Sequence, residues 1–309
     1  MAFERALSTR LLALARDTGM THGQLRREVA YDRFLARLQA AAPGQWLLKG
    51  GVALDLRFAR REARRTKDVD IEMRFPATLQ DATLLLKETV ATTLDDFFVF
   101  TLASVPTRTI IEDALAYRFG IVAHLDGRMY EGFTCDVGVA DENIGEPELV
   151  KGRDLLSFAG IASAEVPAVP LNRHIADKLH AYVRLHNGMA SSRAKDLVDL
   201  ALVTSWRTVA SAGDLRAAIT RVFAAHNIAI PAVFPPPPPN WTQSYPIAAE
   251  GIAVPGDTLK AHALVAALLD PVLANRVDDY WHWNPVSQCW EVALPDEGSK
   301  SRFLPGRIF

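Results

Sequence analysis

Lys49-Gly50-Gly51-Val52-Ala53-Leu54, with Thr66-Lys67-Asp68-Val69-Asp70 one loop further on, is the stretch that decides the fold of this chain. An apolar run, Trp46-Leu47-Leu48, precedes the glycine pair, and the spacing predicts a short helix from Val52 to Phe58 after it. Glycines between a strand and a helix let backbone N–H groups approach phosphate oxygens, and a helix N-terminus favours their negative charge. Asp68 to Met73 then alternates, with Val69, Ile71 and Met73 on one face and Asp68, Asp70 and Glu72 on the other. That is the pattern of a half-buried strand with an acidic open face, so the Asp68 and Asp70 carboxylates point the same way. Two carboxylates at that spacing suit one or two hard divalent cations, and a triphosphate fits beside them. Glu72 is read as a solvated neighbour.

Working outward, Leu7, Leu11 and Leu14 recur at helical spacing, and Thr21 with Gln24 has the form of a capping box ahead of the stripe Leu25, Phe34, Leu35 and Leu38. Ala42-Pro43-Gly44 ends this helical region. Downstream, a helix is expected near Gln80 to Leu94 and a strand at Phe97 to Leu102. Tyr117 to Leu125 and Gly132 to Val139 are expected as an antiparallel pair turning at Asp126-Gly127. On the last strand Phe133, Cys135, Val137 and Val139 share a face, which puts Asp136 on the opposite one and makes it the candidate third metal carboxylate. From Pro147 onward the pattern turns helical. Asn172 is expected to cap a helix to about His186, and Ser191 or Ser192 one to about Trp206. Further helices are expected near Asp214 to Ala225 and Thr258 to Ala274. Pro235 to Pro239 reads as a stiff strap, and Trp281, Trp283 and Trp290 as packing aromatics. Arg57, Arg60, Arg61, Arg64, Arg65 and Lys67 crowd the loop next to the proposed cation site, where they would draw a phosphate backbone.

The 309 residues are enough for a full core and two domains; 49% are hydrophobic and 23% charged, which excludes a disordered chain. A formal net charge of −2 gives no global attraction for nucleic acid, so only a local patch can supply it. Cys135 and Cys289 make neither a disulfide framework nor a zinc site. The early charges Glu4 and Arg5 argue against a signal peptide, and no apolar run is long enough to span a bilayer. A cytoplasmic location is the expectation.

Leu48 to Leu54 and Thr66 to Asp70 resemble motif I of the AbiEii-type nucleotidyltransferases, toxins of type IV toxin–antitoxin and phage-defence systems that include the MenT toxins. Lys178-Leu179-His180-Ala181 and Arg193-Ala194-Lys195-Asp196-Leu197-Val198-Asp199-Leu200 resemble the family's later motifs, which supply a catalytic lysine and a further aspartate. The likeness runs from about Glu28 to Trp241. Thr66 stands where a serine is commoner, and the loop between Gly51 and Asp68 is longer and richer in arginine than usual.

The resemblance implies an α/β fold. A nucleotidyltransferase core of the DNA polymerase β type, a mixed sheet over residues 45–146, would follow N-terminal helices at 1–44. A mainly helical domain at 147–309 would carry the proline strap. It implies transfer of a nucleoside monophosphate from an NTP to a tRNA 3′ end, with Mg2+ and a cognate antitoxin. Asp68, Asp70, Lys178 and Asp196 would be catalytic. Gly50, Gly51, Thr66 and Arg193 would bind substrate. Asp68, Asp70 and Asp136 would hold the metal, and Asp199 is open to a structural role. Residue chemistry alone reaches nucleotidyl transfer. A small-molecule acceptor of the antibiotic type, or a nucleotide-binding interaction module without turnover, stays open at that level.

Overall fold

The computed structural model describes residues 2–58, 66–75, 78–103, 106–111, 114–139, 145–184, 193–206, 209 and 211–292. Two helices open the chain, α1 (Ala2–Thr18) and α2 (His22–Ala41). The capping box ahead of α2 forms: the Gln24 N–H donates to the Thr21 hydroxyl at 3.2 Å, and the Thr21 N–H donates to the Gln24 side chain at 2.7 Å. These helices are not a separate unit. Leu7, Leu11, Leu25, Phe34 and Leu38 belong to the same buried cluster as the sheet strands. Arg37, wholly buried on α2, is tolerated there because Asp96 takes both its Nη atoms at 2.6 and 2.7 Å.

The sheet is built from β1 (Trp46–Lys49), β2 (Asp68–Met73), β3 (Phe98–Leu102), β4 (Thr107–Ile111), β5 (Ala114–Leu125), β6 (Arg128–Val139), β7 (Glu148–Lys151) and β8 (Glu165–Ala168). Helices α3 (Gly50–Arg57) and α4 (Leu79–Ala91) lie between early strands. The strand order is β3-β5-β6-β2-β1-β8-β7, with β4 pairing β5. β2 runs parallel to β6 and antiparallel to β1; β8 runs parallel to β1. The sheet is therefore mixed, as expected. Two of its strands, β7 and β8, lie beyond residue 146 and add to the far edge past β1. The turn at Asp126-Gly127 has φ of +53° and +74°, the left-handed pair that a two-residue hairpin of matching twist requires.

A second cluster forms around α5 (Leu171–Val183), α6 (Ala194–Trp206), α7 (Ala212–Ala225), α8 (Trp241–Ala249) and α9 (Thr258–Leu273), closed by the hairpin β9 (Trp281–Asn284) and β10 (Cys289–Val292). Leu54 of α3 packs into this cluster and joins it to the sheet side. The expected cap at Asn172 is corrected. α5 begins at Leu171 directly after Pro170, which supplies no side-chain cap; the Leu171 N–H donates instead to the Glu148 carboxylate at 2.8 Å. Ser191 and Ser192 lie outside the described residues. The start of the proline run is tied to the helices: the Tyr182 hydroxyl donates to the Pro235 carbonyl at 2.9 Å, and the Phe234 N–H donates to Asp270 at 2.6 Å. Trp283 and Trp290 are packing aromatics, buried and with indole N–H groups donating to Thr204 and Leu268 carbonyls at 2.8 and 2.9 Å. No described helix is long and apolar enough to cross a membrane.

Cys135 is fully buried, and burial pushes its thiol well above its ordinary pKa, whereas Cys289 is exposed. Native protein is expected to titrate one thiol with an aromatic disulfide reagent, and two in denaturant. Two rapid thiols in native protein would contradict the packing of β6.

Candidate active site

The apolar side of β2 fixes the polar side. Val69 and Ile71 are fully buried, so Asp68 and Asp70 must face the other way, and both line a cavity of about 360 Å3. Parallel pairing sets Asp70 level with Asp136 on β6 and Asp68 level with Thr134. The Thr134 hydroxyl donates to Asp68. Three carboxylates predicted from separate segments thus lie on one face of adjacent strands. Glu72 is corrected: it is buried, only 4% exposed, and ion-paired to Lys49 at 3.1 Å, since the open face is covered at that end of the strand.

Gly50 and Gly51 are required by space and not only by flexibility. Gly50 has φ +66°, and a Cβ there would overlap the Asp70 carboxylate. A Cβ on Gly51 would overlap the Thr66 hydroxyl. The glycine turn, Thr66 and Asp70 are therefore packed against one another at the mouth of α3, where helix N–H groups lack intrahelical partners. Gly50→Ala is expected to cost about 1–2 kcal/mol of stability for the left-handed backbone. Its larger effect is displacement of Asp70, and a shift of about 1 Å in a reacting group lowers turnover about a hundredfold. Steady-state transfer rates and a thermal melt on the same variant separate the two.

The opposite wall comes from α5, α6 and the segments flanking them. Lys178, Arg184, Arg193 and Lys195 line the cavity, together with Lys49, Lys67 and Arg118 from the sheet side. Among the described residues the lining carboxylates are those of Asp68, Asp70, Asp136 and Asp177. Lys178 is buried and not solvated. Its ammonium sits 3.0 Å from Asp196 and 3.0 Å from Asp199. Asp196 is fully buried, pairs also with Arg193 at 2.9 Å, and is not among the cavity-lining residues. It anchors Lys178 and Arg193 from behind. Asp199 does the same for Lys178. The cavity is polar and open, of a size for a nucleotide.

The arginine-rich loop is only partly described. Arg57 is not part of a solvated run: it is buried at the end of α3 and bound to Glu148 at 3.0 Å and to the Val169 carbonyl. Arg60, Arg61, Arg64 and Arg65 lie outside the described residues. Arg118 was not singled out by the sequence, yet its Nε and Nη2 donate to both oxygens of Asp136 at 2.8 and 2.7 Å. Among the described residues no three His, Cys, Asp or Glu side chains gather tightly enough to hold a metal ion. By donor type, Asp68 and Asp70 fit a hard cation such as Mg2+; Asp136 fits as well but is taken by Arg118.

A mixed sheet with paired carboxylates beside a strand–Gly-Gly–helix turn, facing a cationic helical wall, has the chemistry that suits a nucleotide and its phosphates. The family model described as nucleotidyl transferase AbiEii toxin, type IV TA system, matches residues 33–277, and the chain belongs to that family. Among solved structures it is similar to MenT4, a nucleotidyltransferase toxin of Mycobacterium tuberculosis, with TM-score 0.52 and 18% identity over 87% of this chain and 90% of that one. At that identity the likeness is one of fold. No curated protein matches the chain in sequence. Membership makes the chain a toxin-class nucleotidyltransferase, which implies an NTP donor and a paired antitoxin.

Proposed function

We propose that the chain transfers a nucleoside monophosphate from an NTP to the 3′ end of a tRNA, in a reaction dependent on Mg2+, and that an antitoxin restrains this activity. The observation that carries this is one cavity in which Asp68 and Asp70 stand beside the Gly50-Gly51 turn and face Lys178 and Arg193. Lys67, Arg184 and Lys195 on the same lining are cations that an acceptor with phosphates of its own, such as RNA, would meet. A neutral or cationic small molecule would gain nothing from them.

Asp68 and Asp70, with Asp136 once freed, are the residues that would hold the cation; when bound, it supplies Lewis acidity toward the phosphate oxygens. The backbone N–H groups at the start of α3 take phosphate oxygens, and Thr66 closes over Gly51. Lys178, fixed by Asp196 and Asp199, presents its positive charge to the triphosphate and offsets charge that builds on the departing pyrophosphate. Arg193 and Arg184 add guanidinium donors suited to phosphate geometry.

The test is incubation with each labelled NTP, Mg2+ and total tRNA. Label on tRNA, dependent on Mg2+, is the expected result. Pyrophosphate release with a small alcohol and never with RNA would overturn the acceptor assignment.

A further inference from the structure

Asp136 is 4% exposed, and a buried carboxylate without a counter-charge is strongly disfavoured. A positive partner is what keeps such a carboxylate ionised. In this structure it is Arg118, whose side chain occupies both carboxylate oxygens. A fully engaged bidentate pair leaves the best-placed lone pairs unavailable to a cation, so the guanidinium and a divalent ion compete for Asp136.

The two partners are unequally held. Asp136 is fixed mid-strand on β6, whereas the Arg118 side chain is 44% exposed and lines the cavity. Among the described residues Asp136 is its only hydrogen-bonding partner. The position of this arginine is set by a register irregularity: the β5–β6 ladder shifts between Ala123 and His124, which brings Arg118 level with Asp136. Bulges that re-aim a side chain recur beside active sites.

We propose that Arg118 is an exchangeable counter-ion of the third carboxylate: it holds Asp136 until nucleotide arrives, then passes it to the divalent cation and turns to the phosphates. Arg118 thus positions Asp136 before nucleotide arrives and contacts the phosphates afterwards. The inference rests on the nucleotidyltransferase function proposed above, with its cation at Asp68 and Asp70.

The test is Mn2+ binding without nucleotide, followed by the electron paramagnetic resonance signal of the free ion, on the full chain. Arg118→Ala is expected to bind Mn2+ about tenfold more tightly than wild type, with Arg118→Lys between them, because the competitor is removed or weakened. In an Asp136→Asn background the Arg118→Ala gain should vanish. A gain that persists there would reflect only the lost positive charge and would overturn the proposal, as would unchanged or weaker binding in both Arg118 variants with native melting curves. Transfer assays read the second half: Arg118→Ala should raise KM for NTP about tenfold with kcat within about threefold. An unchanged KM would overturn the handover. If no variant binds Mn2+, and Asp70→Ala does not differ from wild type, the cation site itself is wrong and the proposal falls with it.

Discussion

Replacing Asp70 by alanine is expected to lower nucleotidyl transfer at least about a thousandfold while leaving the unfolding midpoint close to that of wild type. The large effect on rate follows from its place: it shares the cavity face with Asp68 and stands level with Asp136 on the neighbouring strand. Loss of a carboxylate that holds a divalent cation removes several kcal/mol of charge stabilisation in the transition state. The small effect on stability follows from the same geometry. Three like charges gathered on two strands repel one another, and removing one relieves that repulsion. A variant that loses activity only because it unfolds would show it in the melt.

Lys178→Ala is expected to do both kinds of damage. The lysine separates two aspartates that are 0% and 3% exposed at their side chains. Removing one member of such a buried group leaves uncompensated charge and costs about 3–5 kcal/mol. In a domain of this size that lowers the melting point by about 10 °C. Transfer falls as well, because the triphosphate loses its ammonium. The roles separate in a triple variant: Lys178→Met with Asp196→Asn and Asp199→Asn removes the charges of that group, though Arg193 loses its Asp196 carboxylate, and should regain part of the lost stability without regaining activity. Recovery of activity in that variant would show that Lys178 serves only the fold.

Much of this site was legible in the sequence because it lies where strong local signals coincide. Alternation over Asp68 to Met73 sets the face of both aspartates, and the Asp126-Gly127 turn predicts the β5–β6 pair that carries Asp136. The Thr21–Gln24 box marks the start of α2 to the residue. Other parts carried weak signals. β7 and β8 are four residues each, one with a proline, and neither alternates clearly. They were invisible until β1 supplied a partner. The β9–β10 hairpin is built from tryptophans that pack, and nothing local distinguishes them from helix-packing residues. Arg118 was hidden for a different reason. Counting back from the turn alone sets it against Cys135, and only the shift at Ala123 and His124 moves it to Asp136. Glu72 was misjudged because alternation tells which face a side chain occupies, not whether Lys49 covers it.

The central claim is that acidic groups on β2 and β6, the glycine turn and the α5–α6 cations bind one nucleotide together. A crystal structure with Mg2+ and an NTP analogue that resists cleavage between the α- and β-phosphates tests it most directly. A cation on Asp68 and Asp70, phosphates over Gly50 and Gly51, and Lys178 in contact with the triphosphate are the expected result. Nucleotide bound elsewhere, with Asp68 and Asp70 free of metal, would contradict it.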